Sequence, residues 1–423
     1  MRAGARIQAA IDLVAAVDTS TRGGGAAADD ILRAYFRQRR YAGSKDRREV
    51  GTLLYAVLRR RGELAWRLGE AASPRLMVLL ERCLSGAAPA ALDAEFEGDT
   101  HAPEPLSESE TLLIDKALSA DAEAAPAWAR HNFPAWMEAS LRRRFGARMD
   151  EEMDGMTGRA SVDLRVNTLR GKVADARAAL PQAVPTPWIS TGLRLEQDGD
   201  ISSDPLYLGG YVEVQDEGSQ IAAHLCGARR SMQVIDFCAG AGGKTLALAA
   251  AMGNTGQIYA HDSDARRLER LRPRAKRADA RTIQYVDRAD RLPAAADRVI
   301  LDVPCSGTGT WRRNPEARWR LTPERLDEVT ALQDSLLDAG AALVGKGGQL
   351  VYITCSLLPE EGEDRIAAFL ARAPGFSALP YTVNWTDEGP VPYTLSHIPE
   401  YLVLSPASHQ TDGFFVAVLE RKE

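Results

Sequence analysis

Five short apolar runs recur after residue 230, and each is followed by a stretch whose apolar residues have helical spacing. The runs are QVIDF, QIYAHD, TIQYVD, DRVILD and GQLVYITC, which begin at residues 233, 257, 282, 297 and 348. Strands that alternate with helices build a parallel sheet with crossover helices on its faces. This alternation of strands and helices predicts a doubly wound α/β domain, whose ligands bind at the carboxyl ends of the strands.

The part of the chain before residue 230 has a different pattern of apolar residues. The runs ADDILRAYFRQRRY and DRREVGTLLYAVLRRRGELAWRL place apolar residues at three- and four-residue intervals, which predicts helices. SVDLRVNTLRG, near residue 160, alternates like a strand. Residues 85–110 are rich in Ala, Pro and acidic side chains, so we expect a linker or a loose loop there. The predicted domains are a helical domain at 1–125, a small α+β domain at 126–228 and the α/β domain at 229–423.

Composition excludes several classes of protein. The net charge of −6 argues against a chain that coats nucleic acid indiscriminately, although a local basic groove remains compatible with it. The five cysteines are widely spaced, without CxxC pairs or zinc-ligand spacing, which favours free thiols in a reducing compartment and no metal. The apolar N-terminal run is interrupted by Asp12 and suits an amphipathic helix better than a signal peptide. We expect a cytoplasmic protein without a membrane partner.

VIDFCAGAGGKTLALAA, residues 234–250, reads as a strand, a glycine-rich turn and a helix start. Such a turn lets the backbone approach a ligand closely. A dinucleotide fingerprint fails at Thr245, and a P-loop nearly fits but has Cys238 in place of its first glycine. The P-loop alternative stays open, because the run that ends at Asp302 resembles a Walker B strand. A methyltransferase nucleoside loop fits throughout, and a tight turn without a ligand is the remaining interpretation.

Three further features accompany the glycine loop. Asp262 ends the second strand, where an acid can accept hydrogen bonds from ribose hydroxyls, while Asp264 is the better helix N-cap. Cys305 and Cys355 each follow a strand at its carboxyl end, although a cysteine in a strand is usually a buried structural thiol. Together these residues indicate a chemical site. The basic run at 265–281 is either a solvated helix face or a contact for phosphates.

The stretches FCAGAGGKT, LDVPCSGTGTWRRNPEARW and YITCSLLPEEGED together resemble the Sun/NSUN-like RNA 5-methylcytosine methyltransferases, and within them the RsmB-type enzymes. YVEVQDEGSQ and TDGFFVAVL fit the same family, and LRVNTL is similar to its small RNA-binding domain. The helical part, with SKDRREVGTLLYAVLRRR, looks like the NusB-like domain of RsmB-type members. The resemblance implies a Rossmann-like methyltransferase domain after a small α+β RNA-binding domain and an all-helical NusB-like domain.

The resemblance also implies an activity. It is the transfer of a methyl group from S-adenosylmethionine to carbon 5 of a cytosine in RNA, with small-subunit ribosomal RNA as the expected substrate. By the family's pattern Cys355 is the attacking thiol, and Cys305 assists elimination and release of the product. Asp302 holds the edge of the cytosine ring, and Lys244 faces the target base or Asp302. We expect a monomer that uses no metal.

The same pattern assigns the binding residues. Asp262 takes the ribose hydroxyls of the cofactor, and Asp287 lies near the adenine, with Asp290 as the alternative. Asp302 also borders the cofactor. The methionine and ribose parts are lined by Cys238, Ala239, Gly240, Ala241, Gly242, Gly243 and Lys244. The RNA-facing residues are Arg312, Arg313 and Arg318 on phosphates and Trp319 for stacking. The alternatives from other classes are a P-loop NTPase and an inactive RNA-binding ribosome assembly factor.

Overall fold

The structure is a computed structural model that describes residues 1–195 and 201–422. The chain divides into two compact units. The helical unit comprises Met1–Arg142, Gly146–Gly158 and Trp311–Pro323. The sheet unit comprises Arg143–Phe145, Arg159–Thr310 and Glu324–Glu423.

The described residues form helices throughout both units. In chain order the α-helices are α1 (Ala3–Arg22), α2 (Ala28–Gln38), α3 (Ser44–Leu68), α4 (Pro74–Leu84), α5 (Pro89–Phe96), α6 (Glu108–Leu118), α7 (Ala127–Arg130), α8 (Glu138–Phe145), α9 (Met149–Asp154), α10 (Val173–Ala179), α11 (Pro205–Leu208), α12 (Glu217–Leu225), α13 (Gly243–Ala251), α14 (Ala265–Ala278), α15 (Pro323–Leu343), α16 (Glu363–Arg372) and α17 (Pro406–His409). Within these residues, no helix combines the length and the apolarity needed to cross a bilayer.

The strands belong to the sheet unit. They are β1 (Val162–Val166), β2 (Ala183–Pro185), β3 (Gly192–Leu195), β4 (Val212–Val214), β5 (Gln233–Asp236), β6 (Gln257–His261), β7 (Ile283–Val286), β8 (Ala296–Asp302), β9 (Val344–Thr354), β10 (Phe376–Leu379), β11 (Leu402–Leu404) and β12 (Phe414–Arg421).

The helical unit is built around α1, α3 and α4. Their apolar faces bury residues such as Leu13, Leu54, Leu58 and Leu79 completely. This is the outcome that three- and four-residue spacing of apolar side chains predicts, because such residues lie on one side of a helix. The helices predicted at the N-terminus are therefore confirmed.

The segment predicted to be a linker contains a helix. Residues 89–96 form α5, which begins with Pro89 and buries Leu92 and Phe96 in the core of the helical unit. The prediction of a loose loop is wrong for these residues. Its physical reason is that the two apolar side chains are four residues apart, so one helical turn buries both, and proline is well tolerated at a helix start.

The small sheet of the sheet unit has the antiparallel order β2-β3-β1-β4. LRVNTL contributes β1, as predicted, and Leu164, Val166, Leu193 and Val212 form its core. Beyond the end of β1, Nδ2 of Asn167 donates to the carbonyls of Gly210 and Ala278, at 2.8 Å each. These bonds fix the loops of the small sheet to the end of α14.

The large sheet contains the five predicted strands, and its order among the described residues is β10-β12-β9-β8-β5-β6-β7. Strands β5 to β9 pair in parallel, while β12 joins β9 antiparallel and β11 pairs with β12. Because parallel strands share their direction, the carboxyl ends of β5, β6, β7, β8 and β9 meet at one edge of the sheet. The predicted doubly wound α/β fold is confirmed, and this edge holds the candidate site.

The compact units depart from the three predicted domains at three places. Residues on both sides of the boundary predicted at 228/229 belong to the sheet unit, and two further segments group with the helical unit. Helices α7, α9 and most of α8, which were predicted in the domain at 126–228, group with the helical unit. Oδ1 of Asn132 accepts a hydrogen bond from the Gly62 backbone N at 2.7 Å, and its Nδ2 donates to the Leu58 carbonyl, which fixes this segment to α3. Residues 311–323, predicted within the methyltransferase domain, also group with the helical unit.

Candidate active site

The two strand-end cysteines are adjacent in space although they are 50 residues apart in the chain: Sγ of Cys305 lies 3.3 Å from Sγ of Cys355. Strands β8 and β9 bring them together, because Asp302 pairs with Ile353 at their carboxyl ends. Backbone bonds continue past the strands, from Val303 N to the Ile353 carbonyl and from Gly309 N to the Cys355 carbonyl. The loop that carries Cys305 is therefore held beside the loop that carries Cys355.

The two thiols differ in their electrostatic surroundings. The hydrogen bond with Cys355 and the burial of its own sulfur raise the pKa of Cys305 well above the ordinary value, and the negative charge of Glu361 adds to this effect. Either sulfur can be the donor in this contact, and a protonated Cys305 would donate its hydrogen bond to the sulfur of Cys355. A thiol that hydrogen-bonds a neighbouring sulfur stabilises the thiolate form of that neighbour, and the thiolate is the nucleophile.

Lys244 and Asp302 form a close ion pair at the same edge. Nζ of Lys244, whose side chain is 9% exposed, donates to Oδ2 of Asp302 at 2.8 Å. Burial alone would lower the pKa of Lys244, but the charge of Asp302 and the hydrogen bond with it raise this pKa above its ordinary value. Of the two predicted partners for Lys244, the structure shows Asp302. One third of the Asp302 side chain remains exposed, so it can reach a bound base.

The glycine loop follows β5 directly and leads into α13, as predicted. Gly240 and Gly242 have positive φ angles of 55° and 86°, which non-glycine residues rarely adopt. A Cβ added at Gly242 would lie 2.0 Å from Cδ1 of Leu271, whereas one added at Gly243 would meet no atom closer than 3.8 Å. Gly242 is thus required by the packing of the loop, while a methyl group at Gly243 would make only an ordinary contact with Nε2 of Gln215.

Asp262 lies at the end of β6 beside the glycine loop. Its Oδ2 accepts a hydrogen bond from Gly240 N at 2.8 Å and pairs with Arg267 at 3.2 Å, and its Oδ1 accepts from Asp264 N at 2.9 Å. Asp264 caps α14 by accepting from Arg266 N, which agrees with the predicted N-cap. Asp262 therefore holds the loop in place, and its carboxylate keeps acceptor capacity for a further donor, because a carboxylate offers about four lone-pair sites.

Asp287 follows β7 at the position next to Asp262 on the sheet edge, because His261 pairs with Val286 in the register of β6 and β7. Its carboxylate is exposed and pairs with Arg291 at 3.1 Å. Asp290 lies farther along, in a 3-10 turn, and pairs with Arg288. The position of Asp287 at the strand end favours it over Asp290, and its contact with the adenine stays a prediction.

Two acidic residues of the site were not predicted from the sequence. Asp236, the last residue of β5, is buried and accepts a hydrogen bond from Oγ1 of Thr245 at 2.6 Å. Its burial raises its pKa to about 7, and the charges of Asp302 and Asp262 also favour the neutral form. Glu361 is fully buried and accepts hydrogen bonds from both cysteine loops. The place of Glu361 shortly after Thr354, Cys355 and Ser356 could have marked it as a site residue. An acid at that place is, however, usually explained by the start of a helix.

The four residues predicted to face RNA all lie in the helical unit. Arg318 is fully buried, and its guanidinium donates to the backbone carbonyl of Asn132 at 2.5 Å and more weakly to those of His131, Met156 and Trp311. Burial lowers the pKa of Arg318 to about 9. This placement contradicts the expected phosphate contact: the guanidinium ties segments of the helical unit together.

The other three predicted RNA-facing residues are half-buried. Arg312 and Arg313 precede the buried Arg318 in the same segment. The ring of Trp319 stacks under the guanidinium of Arg61, whose carbon lies 5.3 Å from the ring centroid. Contacts of Arg312, Arg313 and Trp319 with RNA stay predictions.

The comparisons with known proteins agree with this geometry. Residues 225–420 match the family described as 16S rRNA methyltransferase RsmB/F, and residues 133–202 match the ferredoxin-like domain of RsmF/B-like methyltransferases. The probable ribosomal RNA small subunit methyltransferase B of Synechocystis sp. is 34% identical over 304 residues, which cover 69% of this chain and 67% of the relative. The chain belongs to the RsmB/F methyltransferase family.

One further RsmB/F relative and one solved structure are also similar to this protein. The ribosomal RNA small subunit methyltransferase B of Yersinia pseudotuberculosis is 30% identical over 320 residues, which cover 73% of this chain and 70% of the relative. The crystal structure of PH0851 covers 99% of both chains with a TM-score of 0.77 and 25% identity. The likeness to PH0851 includes the helical N-terminal region, which neither family match covers.

Family membership decides between two of the interpretations left open by the sequence. The glycine loop, from Cys238 to Gly243, and both cysteines fall within the part that matches the RsmB/F methyltransferases. The P-loop NTPase alternative is therefore rejected. Among the described residues there is also no group of three or more His, Cys, Asp and Glu side chains arranged to hold a metal ion.

Proposed function

We propose that this protein transfers a methyl group from S-adenosylmethionine to carbon 5 of a cytosine in small-subunit ribosomal RNA, through a covalent adduct of Cys355 with carbon 6. The observation that carries the proposal is the pair of thiols 3.3 Å apart at the carboxyl edge of the sheet. A target base reaches the thiols at this edge only when it is unstacked from its neighbours.

Two thiols suit the chemistry of cytosine. Carbon 5 is a poor nucleophile while the ring keeps its conjugation, and a thiolate that adds to carbon 6 gives carbon 5 enamine character. After methylation a base removes the proton from carbon 5, the bond between sulfur and carbon 6 breaks, and the electron pair returns to the sulfur as a thiolate. Cys355 is the attacking group, and the protonated Cys305 stabilises the sulfur of Cys355 as it leaves.

Asp302 and Lys244 prepare the base for attack. The Lys244 ammonium holds Oδ2 of Asp302 at 2.8 Å, which fixes the carboxylate at the end of β8, three residues before Cys305. From there the carboxylate binds the edge of the cytosine ring and stabilises the positive character at ring nitrogen 3 as the adduct forms. A preorganised charge in a partly buried site is worth more than the same charge in water.

The residues around the glycine loop fit S-adenosylmethionine, which supplies the methyl group as a sulfonium. The loop from Cys238 to Gly243 has two glycines at positive φ and leads into the N-terminus of α13, where backbone N–H groups are free to bind polar groups. Asp262 has remaining acceptor capacity for a ribose hydroxyl, and Asp287 follows it along the sheet edge. Both carboxylates suit the hydroxyl and amino donors of a nucleoside.

One experiment tests this function directly. The purified protein is incubated with S-adenosylmethionine and unmodified 16S ribosomal RNA, either free or in small subunits, and 5-methylcytosine is mapped by bisulfite sequencing. We expect one or a few sites that are absent with the Cys355→Ala variant. RNA binding without methyl transfer would contradict the proposal and favour the inactive assembly factor.

A further inference from the structure

A buried carboxylate connects the loops that carry the two cysteines. Each thiol is followed by a serine, Ser306 after Cys305 and Ser356 after Cys355, and both hydroxyls donate to Oε2 of Glu361. The Ser356 hydroxyl lies 2.5 Å from this oxygen, and the two hydroxyls lie 3.1 Å from each other. The carboxylate of Glu361 thus contacts the residue next to each thiol.

The second oxygen of Glu361 is also bonded. Oε1 accepts from Ser306 N at 2.8 Å and from Nε2 of Gln333, on α15, at 3.0 Å. The same Nε2 donates to the carbonyl of Pro304, the residue before Cys305. Gln333 and Glu361 therefore hold the backbone on both sides of Cys305.

The fully buried position of Glu361 makes this arrangement costly to maintain unless the carboxylate is well bonded. Four donors surround it, and hydrogen bonds to an ionised acceptor are about twice as strong as those between neutral groups. Through these bonds the two oxygens of the carboxylate join the loop of Cys305, the loop of Cys355 and α15. Its charge also favours the protonated form of Cys305.

We propose that Glu361 is a positioning residue for the thiol pair: it clamps Ser306 and Ser356, and through them it holds the two sulfurs adjacent with Cys355 as the reactive thiol. This inference deepens the proposed function and rests on it for the roles of the two thiols. Glu361 acts through the serines and the local field, without contact with the substrate.

The test compares the reactivity of the two thiols in Glu361→Gln, which keeps the length of the side chain and removes its charge. The full-length protein is treated with iodoacetamide at low conversion across a range of pH, and the peptides that contain Cys305 and Cys355 are quantified by mass spectrometry. We expect Cys355 to react first in the unsubstituted protein. In Glu361→Gln the ratio of Cys355 to Cys305 alkylation should fall about tenfold, as a change of one pKa unit would produce.

Three controls separate positioning from a general loss of structure. Glu360→Gln changes the neighbouring acid, which pairs with Arg143 at 3.4 Å, and it should leave the ratio unchanged. Glu361→Asp keeps the charge and should restore part of the preference for Cys355. Where Glu361→Gln unfolds, as judged by thermal denaturation, Ser356→Ala and Ser306→Ala remove the donors one at a time and should shift the ratio in the same direction.

The methylation assay completes the test. Glu361→Gln should lower kcat by tenfold or more while the KM for RNA and the affinity for S-adenosylmethionine change less than twofold. A folded Glu361→Gln variant with unchanged thiol preference and unchanged kcat overturns the inference. Absence of methyl transfer by the unsubstituted protein instead contradicts the proposed function, and the alkylation ratio still reports on Glu361 in that case.

Discussion

Sγ of Cys305 lies 3.3 Å from Sγ of Cys355, at the carboxyl ends of two neighbouring parallel strands. The pair is asymmetric, because the bond with Cys355, burial and the nearby Glu361 raise the pKa of Cys305. This asymmetry agrees with the different roles that we propose for the two thiols, Cys355 as the attacking group and Cys305 as its helper.

The ion pair between Lys244 and Asp302 gives the first prediction. Asp302→Asn leaves the buried ammonium of Lys244 without its anion, so the free energy of unfolding should fall by about 2 kcal/mol, less than for a fully buried pair because Asp302 is one-third exposed. Chemical denaturation measures this loss, and methyl transfer should fall at least a hundredfold. In a double-mutant cycle with Lys244→Met, the double variant should lose less stability than the sum of the single variants. Additive losses would contradict the pairing.

The glycine loop gives a second, paired prediction. Gly242→Ala places a methyl group 2.0 Å from Cδ1 of Leu271 at a φ of 86°, so it should cost about 3 kcal/mol of stability. Gly243→Ala meets no atom closer than 3.8 Å and should change stability by less than about 0.5 kcal/mol. Both should weaken binding of S-adenosylmethionine in calorimetric titrations, because the proposed cofactor site includes the loop from Cys238 to Gly243. Full affinity in Gly243→Ala would place the cofactor elsewhere.

The raised pKa of Asp236 predicts a pH-dependent stability. The unfolded carboxyl titrates near its ordinary value and the folded one at about 7, so the folded state binds the extra proton between these pH values. Stability from this group therefore falls as the pH rises from about 4 to about 7. Asp236→Asn removes the titration and can still accept the hydrogen bond from Thr245.

Thermal denaturation across this pH range checks the direction in which stability changes with pH. The melting temperature of Asp236→Asn should exceed that of the unsubstituted protein at pH 8, and the difference should shrink steadily toward pH 4. A variant that is less stable at pH 8 would show that the ionised carboxylate is stabilising, contrary to the direction of its pKa.

Substitution of Arg318 should destabilise the helical unit and should leave the phosphate contacts with RNA unchanged. Arg318→Gln leaves carbonyls in the core of the helical unit without their donor, so stability should fall by about 3 kcal/mol. The slope of RNA affinity against salt concentration should not change, because no phosphate contact is lost. Arg312→Gln and Arg313→Gln are the matched comparisons, and each should lower that slope by about one if it binds a phosphate. A lower slope in a folded Arg318→Gln variant would restore the original expectation for this residue.

The strands, and the candidate site residues at their carboxyl ends, were predictable because the apolar runs and the residues that follow them are local features of the sequence. Each apolar run marks a buried parallel strand, and the direction of parallel strands brings Asp262, Asp302, Cys305 and Cys355 to one edge without further information. The neighbourhood of the cysteines follows from the same reasoning. The glycine loop was predictable since only glycine tolerates its backbone angles.

The predictions that failed concern residues whose environment is set by contacts with distant parts of the chain, which the sequence pattern does not reveal. Arg318 lies in a cluster of arginines that suggests a surface, yet its guanidinium reaches carbonyls more than 150 residues away in the chain. Glu361 lies in an acidic helix start, and its burial depends on Ser306, 55 residues earlier. In both cases tertiary hydrogen bonds compensate for burying a charge, and no local spacing reports them.

The covalent step is tested most directly by the two cysteine variants. Cys305→Ala and Cys355→Ala are each incubated with S-adenosylmethionine and unmodified 16S ribosomal RNA, and covalent complexes are counted after denaturing electrophoresis. We predict that Cys305→Ala accumulates a protein–RNA adduct, because Cys355 still attacks and its release is slowed, whereas Cys355→Ala forms none. An adduct that persists in Cys355→Ala and is absent in Cys305→Ala would contradict the roles assigned to the two thiols.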